Sequence, residues 1–478
     1  MIQGLKRRGQ TELVCAGSIE DFIPKDHVLY RVNRVLDLSW LRDEVSDCYS
    51  LAHGRPSIDP EVAVRLMLAG MLLGIVHDRK LMREAQVHLA IRWFAGFGLT
   101  DRLPDHSSLT RIRQRWGMGR FQKIFERSVE ACVEAGLVGG DLLHVDATLV
   151  RADVSWSSLA RVYVSAVDAN NEPATVEESD SNGPDEPEGK LRKISRTDPS
   201  ARMATNKYNQ RMEPCFKQLT AVDSKIGVCV DATVISADRH EGQTFIEQVD
   251  RITDLCGFNF AAVTADRAYG SAGNIAAMEE RSMGTVISQQ KVRPAKVPIS
   301  RFKYDEKHDL VRCPKGRHLR PGSKAKNGRF FRAKIADCRK CSLRRACLPL
   351  SGQARSITIQ DGYVAQLRAR RRYLKKLPQD RAAYNAHRFR VEGLHGEAKA
   401  CHGLNRAVRR GIANMAIQAW LTAAAINLKR LATAYFVLIV AIYRQIEPRR
   451  AFRGTEIFTM GMAFQIMISR PIMPYSGT

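Results

Sequence analysis

Leu142-Leu143-His144-Val145-Asp146-Ala147-Thr148-Leu149-Val150, directly after Gly139-Gly140, reads as a β-strand. Side chains alternate across a strand, so His144, Asp146 and Thr148 share one pleat face. A carboxylate between Val145 and Ala147 is costly to bury unless it opens on a cleft or meets a cation. Downstream, Ile226 to Ser236 is a β-branched run, and Phe260 to Asp266 reads as a further strand ending on a second acid. Arg267-Ala268-Tyr269-Gly270 then turns the chain into a helical stretch from Asn274 to Arg281, and a long helical pattern runs from Ala382 to Leu431. Strands followed by strand–helix alternation and a long helix predict an α/β fold, a mixed sheet flanked by helices.

Upstream, residues 1–138 read as all-helical. Asp59-Pro60 offers an N-cap with proline at the first helical position, Val62, Leu66, Met67, Ala69, Gly70 and Leu73 supply an apolar face, and Gly74 marks the stop. A second helix is expected after Pro104-Asp105-His106-Ser107, carrying Arg111, Arg113 and Arg115. That outer face fits a DNA-recognition helix and the solvated side of a bundle helix equally well.

The 478 residues hold 75 Lys+Arg against 50 Asp+Glu, a formal charge of +25 and a pI near 9.8. Such a field attracts polyanions, nucleic acid first among them. Asn171 to Gly189 carries seven acids, three prolines and no base; without those acids the remainder stands at +32. It reads as a flexible insert with too little apolar surface to offset ordering. The apolar run Leu431 to Tyr443 has 13 residues, short of the ~20 a spanning helix needs, so no membrane partner is expected. Met1 to Gln10 is basic without an apolar core, so no secretory signal is expected, and 11 cysteines in a chain this long point to a reducing cytoplasm.

Asp146 and Asp266 need a third acid if they are to hold cations for phosphodiester chemistry, and two hard ions ~3.5–4 Å apart suit carboxylate oxygen. Arg388-Phe389-Arg390-Val391-Glu392-Gly393-Leu394-His395-Gly396-Glu397-Ala398-Lys399 offers two candidates. At 100° per residue, Arg388, His395 and Lys399 fall within about 60° of Glu392, whereas Glu397 lies about 140° away. Glu392 is therefore the expected ligand; Asp153, Asp231 and Asp238 are reserve acids. Arg388, Lys399 and His395 on the same stripe, with Arg406, Arg409 and Arg410 beyond it, are expected to anchor DNA phosphates. Arg368, Arg370, Arg371, Arg372, Lys375 and Lys376, six bases in nine positions, form a further phosphate-contacting run.

Cys313, Cys338, Cys341 and Cys347 follow the pattern C-x24-C-x2-C-x5-C inside a strongly basic stretch, with His318 as a substitute ligand. Four soft ligands of this kind suit a structural Zn²⁺; the alternative is four reduced thiols in a loop-rich insert.

His144-Val145-Asp146-Ala147-Thr148, Thr264-Ala265-Asp266-Arg267-Ala268-Tyr269 and Arg388-x3-Glu392-x6-Lys399 resemble the three DDE blocks of bacterial insertion-sequence transposases, most nearly the insertion-sequence family numbered eleven eighty-two. The likeness runs through Asp59-Pro60, Pro104-Asp105-His106-Ser107-Ser108-Leu109, Asp198-Pro199-Ser200-Ala201-Arg202 and Asn427-Leu428-Lys429-Arg430-Leu431, roughly residues 15 to 434. One departure stands out: where related transposases place Tyr three residues before the Arg, this chain has Asn385, with Tyr384 one position earlier.

The resemblance implies a ribonuclease-H-like core and an organisation in five parts. These are an N-terminal helical DNA-binding domain (1–138), the first half of the catalytic core (139–300, with the acidic insert at 171–189), a cysteine-containing insertion (301–360), the second half of the core with the glutamate helix (361–433) and a tail of unknown role (434–478). It implies Asp146, Asp266 and Glu392 as catalytic ligands of two Mg²⁺, for which Mn²⁺ can substitute. The expected reaction is cleavage at the element ends and transfer of a 3′-hydroxyl into target DNA. Double-stranded DNA, as terminal inverted repeats and target, and a second copy in a synaptic dimer are the expected partners, with the protein in the bacterial cytoplasm on the nucleoid. A nuclease of the same fold without strand transfer, and an inactive DNA-binding relic, are the rival expectations.

Overall fold

The computed structural model describes residues 17–50, 57–164, 190–205, 211–288, 297–325, 327–349 and 351–446. The acidic stretch 171–189 and residues 447–478 of the tail lie outside the described residues.

Among the described residues, six α-helices come first: α1 (Val28–Asn33), α2 (Leu41–Glu44), α3 (Pro60–Leu72), α4 (Asp78–Val87), α5 (Leu89–Phe94) and α6 (His106–Glu134). Asp59 caps α3 by accepting from the Glu61 N–H at 2.9 Å, and Gly74 at φ +69° takes the chain away after Leu73. Asp105 caps α6 in the same way through the Ser107 N–H at 2.8 Å. The 29 residues of α6 are broken at Gly117, whose φ of +70° a helix cannot contain. Arg113 is no outward-facing base: it is buried in a two-pronged contact with Asp78 of α4 at 2.7 and 2.9 Å. Arg111 and Arg115 do reach the surface.

The sheet begins with β1 (Leu142–Arg151) and continues, after the hairpin β2 (Leu159–Val164) and β3 (Lys190–Ser195), through β4 (Arg202–Ala204) and β5 (Glu213–Asp223). The β-branched run after Ile226 becomes two short strands, β6 (Cys229–Asp231) and β7 (Val234–Ser236), because Asp231 turns aside to bind Thr233 at 2.9 Å and Gln248 at 2.8 Å. Helix α7 (Phe245–Cys256), β8 (Ala262–Ala265), α8 (Ala272–Glu280) and β9 (Gly284–Ile287) complete the layer. The order is β4-β5-β1-β8-β9, with β6 and β7 also on β5. Strands β1 and β5 are antiparallel, whereas β8 and β9 run parallel to β1.

A second, five-stranded antiparallel sheet follows: β10 (Lys303–Asp305), β11 (Leu310–Arg312), β12 (His318–Ala325), β13 (Gly328–Ala333) and β14 (Ser356–Gln360), with α9 (Ile335–Arg339) and α10 (Arg344–Cys347) between the last two. It has its own small core, in which Val311, Leu319 and Phe331 are fully buried.

The long helix expected from Ala382 to Leu431 is interrupted twice. After α11 (Tyr363–Lys375) come α12 (Pro378–His387), a π-helical turn Arg388–Glu392, α13 (Gly393–Cys401) and, beyond a loop, α14 (Ile412–Ile446). The loop forms because Gly403 and Gly411 adopt positive φ, and its backbone bridges Arg406 to Arg151 of β1. Ile412–Ala441 is long and apolar enough to cross a membrane. Its stretch from Met415 to Leu428 is nevertheless buried in the protein, packed on α6, α3 and α1. Asn427 stitches it down, accepting from the Cys229 N–H at 2.9 Å and donating to the Cys229 carbonyl at 2.8 Å. One continuous hydrophobic core therefore joins the leading helices, the first sheet and α14.

Candidate active site

Parallel pairing puts Val145 opposite Ala265, so Asp146 and Asp266 occupy the next position on adjacent strands. Strands in a sheet lie ~4.8 Å apart, which brings the two backbones together at the carboxyl end of β8. Asp266 caps the single turn Arg267–Tyr269, one carboxyl oxygen accepting the Ala268 N–H at 2.8 Å. Glu392 ends the π-helical turn with its side chain 61% exposed and Arg388 Nε at 3.1 Å.

Asp146 lies within reach of the charges of both other acids. Burial foremost, followed by the charges of Asp266, Glu392 and Glu241, lifts the Asp146 carboxyl to about 6, although the Ala147 N–H opposes the change. Asp266 is raised for the same reasons, burial first and then Glu241, against the Ala268 N–H, His240 and Arg267. Gathered acids with raised affinity for protons form a natural seat for a divalent cation. They are not closed round a point: among the described residues, no three His, Cys, Asp or Glu side chains stand near enough to ligate an ion without rearranging.

Sequence reasoning missed Glu241. It lies on a one-turn helix, Glu241–Gln243, and reaches Lys217 Nζ at 2.5 Å. The turn sits against Arg267–Tyr269 so tightly that a Cβ on Gly242 would lie 2.6 Å from the Ala268 carbonyl oxygen. Only glycine permits that approach, and it is what sets Glu241 beside the aspartates. The Tyr269 hydroxyl beside them is buried without a hydrogen-bond partner, and its phenol is held well above its ordinary value by burial and by Asp146, Glu241 and Asp266.

The stripe drawn from helical periodicity does face β1, but its members do other things than expected. His395 is buried, with Nδ1 3.9 Å from an Asp146 oxygen, so it backs the acid rather than meeting DNA. Lys399 donates to the Thr148 hydroxyl at 2.6 Å and the Leu149 carbonyl at 3.1 Å, tethering α13 to β1. Arg409 is spent on Asp78 at 2.5 Å, with only 18% of its side chain exposed. The reason is common to all three: a polar group on a buried face takes the nearest protein partner. Arg388, 82% exposed, remains available, and Arg406 and Arg410 are exposed although each touches Asp153, at 3.2 and 3.3 Å. In the run after 363, Arg368 pairs with Glu279 and Arg372 with Asp380.

Beneath Asp146 lies a layer of neutral histidines. His144 is wholly buried with neither ring nitrogen partnered, 5.6 Å from the His387 ring. Burial above all pushes His144 and His395 down to about 3 and His387 to about 4. Glu397 faces away, as the periodicity predicts, and pairs with Lys429 at 2.6 Å and Arg430 at 3.3 Å on α14. Of the reserve acids, Asp231 is buried under Arg251 and Gln248, Asp153 is paired with Arg406, and Asp238 accepts from Ser236 at 2.5 Å. Cys313, Cys338, Cys341 and Cys347 are free thiols lining one cavity of the second sheet.

Elsewhere, a cleft of about 1330 Å³ opens between α4 and α6 and is walled by Arg79, Arg83, Arg102, Arg111 and Arg115. Asp59, Asp101 and Asp105 also line it, so the arginines outnumber the acids there.

Known proteins bear on these features unevenly. No curated protein matches the chain. A cryo-EM structure of a piggyBac transposase synaptic complex with hairpin DNA aligns over 93% of this chain and 83% of that one at 11% identity, with a TM-score of 0.28, too slight a likeness to argue from. The family models are more telling. One described as a transposase domain (DUF772) matches residues 17–115, the helices that wall the basic cleft. One described as a transposase DDE domain matches residues 312–432, from the cysteine cavity through Glu392 into α14. These two domain matches, in this order along the chain, mark it as a DDE-type transposase similar to those of insertion sequences.

Proposed function

We propose that this transposase cuts DNA at the ends of its element and transfers the freed 3′-hydroxyl into target DNA, using Asp146, Asp266 and Glu392 to hold two Mg²⁺ ions, with Mn²⁺ a working substitute. The observation that carries the proposal is the register that sets Asp146 and Asp266 side by side where β1 and β8 run parallel, with the charges of Asp266 and Glu392, 120 and then 126 residues further along the chain, both bearing on Asp146. A ribonuclease-H-like core fits the same facts: β5 with β6/β7, joined by antiparallel pairing, lies on one side of β1 and the parallel strands β8 and β9 on the other. Bound divalent ions supply Lewis acidity to the attacking and leaving oxygens of an in-line displacement.

The chain's own residues prepare that chemistry. Asp146 is held on a rigid central strand, with His395 behind it limiting its swing. Asp266 has one oxygen fixed by the Ala268 N–H, which leaves the other for a cation. Glu392, on an exposed turn held only by Arg388, is the mobile member that closes the set when DNA arrives. Arg388, released from Glu392 at that moment, is left to meet a phosphate. The arginines of the basic cleft hold duplex DNA by its backbone. Two element ends require two copies, so the working form is a synaptic dimer on nucleoid DNA in the cytoplasm.

The test supplies a pre-cut element end, a target plasmid and Mg²⁺. Joined product is expected from the native chain and from neither Asp146→Asn nor Glu392→Gln, while both variants bind the end as tightly as the native chain. Nicked plasmid without joining would reduce the protein to a nuclease. Joining by Asp146→Asn would overturn the proposal.

A further inference from the structure

We propose that Cys313, Cys338, Cys341 and Cys347 bind one Zn²⁺ ion that closes the five-stranded insertion. The site is independent of the carboxylates: its donors are soft thiols on a different sheet, the kind Zn²⁺ selects and Mg²⁺ does not. All four cysteines line a single cavity of about 530 Å³, enclosed by β12 on one side and α9 and α10 on another. All four are half-buried and none is in a disulfide.

The local backbone is shaped to present sulfur. Cys313-Pro314-Lys315-Gly316-Arg317 folds into a tight knuckle, in which the Gly316 N–H reaches the Cys313 carbonyl at 2.8 Å and the Cys313 N–H reaches the Arg317 carbonyl at 2.8 Å. Gly316 makes the turn at φ +78°, a conformation other residues adopt at a cost. Opposite it, Cys338 and Cys341 sit on one turn, closed by the Cys341 N–H to the Cys338 carbonyl at 3.3 Å, and Cys347 ends the next helix. One sulfur from the knuckle and three from the helical side make four, the coordination of structural zinc.

The module also needs a staple. Its apolar core comprises nine buried residues, against which Cys313, Cys338 and Cys347 themselves pack. Helices α9 and α10 have five and four residues, far below the length at which a helix holds itself together. A sheet covered by two such turns has little else to fix its outer layer, and small scaffolds of this kind draw on disulfides or metals. Lys315, Arg317, Lys340, Arg344 and Arg355 ring the cavity and offset the negative charge of a four-thiolate centre. The four cysteines line the cavity but, among the described residues, no three ligands yet meet round an ion, so loading requires rotamer changes that bring each sulfur to ~2.3 Å from it.

The consequence reaches the candidate active site. Tyr363, the first residue of α11, belongs to the core of the insertion, and α11 packs on α8 and β9. Closing the insertion fixes the start of the segment that runs through α12 to Glu392.

The experiment is metal analysis of the full chain purified without chelator, beside Co²⁺ exchange. One zinc per chain is expected, and Co²⁺ should give the visible bands of tetrahedral thiolate coordination. Cys338→Ser and Cys341→Ser should each lower bound zinc at least about fivefold, whereas Cys401→Ser, an exposed thiol outside the cavity, should leave it unchanged. The Co²⁺ spectrum of the native chain stands even if a serine variant fails to fold. A native chain holding no metal, with all four thiols open to modification, would overturn the proposal; so would zinc retained by Cys341→Ser or Co²⁺ bands of octahedral oxygen coordination.

Discussion

Replacing Glu397 by glutamine separates the two glutamates of the helical segment that follows Arg388. The Glu397 carboxylate is 27% exposed and meets Lys429 at 2.6 Å, Arg430 at 3.3 Å and His402 at 3.6 Å. Burial pushes its carboxyl up, yet His402, Arg430 and Lys429 together bring it down from 4.5 to about 2. His402 donates through Nδ1 to the Met71 carbonyl at 2.7 Å, so the same cluster ties α13 and α14 to α3. Moving a carboxyl from 4.5 to about 2 corresponds to roughly 3 kcal/mol of stability, or about 2 after screening by the solvent it still touches. Because the folded value lies below the unfolded one, that stability is complete above about pH 5 and disappears as pH falls towards 2. Urea unfolding of the native chain and Glu397→Gln should therefore show a gap of about 2 kcal/mol at pH 7, shrinking steadily below pH 4.5. At a temperature where both are folded, Glu397→Gln should cleave DNA like the native chain. A gap that persists at pH 2.5, or loss of cleavage by a fully folded Glu397→Gln, would refute the reasoning.

Asp78 holds Arg113 and Arg409 in the interior, so Asp78→Ala leaves two buried guanidinium groups unpaired and should cost about 3–5 kcal/mol in chemical denaturation. Removing Arg409 should likewise reduce stability and leave DNA affinity per folded molecule unchanged. Arg388→Ala should do the reverse: thermal stability stays put, while the slope of log affinity against log salt falls by about one.

Periodicity carried much of the fold. The alternation through His144, Asp146 and Thr148 predicts β1, the caps at Asp59 and Asp105 start α3 and α6 where expected, and the helical repeat separates Glu397 from Glu392. These are short-range features, written within one or two turns of the chain. What escaped notice depends on distant partners. Lys399 looks free until Thr148, 251 residues away, is folded beside it, and Arg409 looks like a DNA anchor until Asp78 arrives from 331 residues away. Glu241 carried no signal of its own, since only the close seating of Gly242 against Ala268 brings it to the aspartates. The break at Arg388–Glu392 was equally hidden, because a π-helical turn adds a residue without changing the residue types.

Cutting the protein itself with its metal tests the central claim most directly. Fe²⁺ in place of Mg²⁺, with ascorbate and peroxide, releases radicals that sever the backbone beside the ion. Cuts are expected in three separated places, near Asp146, near Asp266 and near Glu392, and they should vanish together in Asp146→Asn. Cuts confined to one of these segments, or falling elsewhere in the chain, would contradict a shared centre.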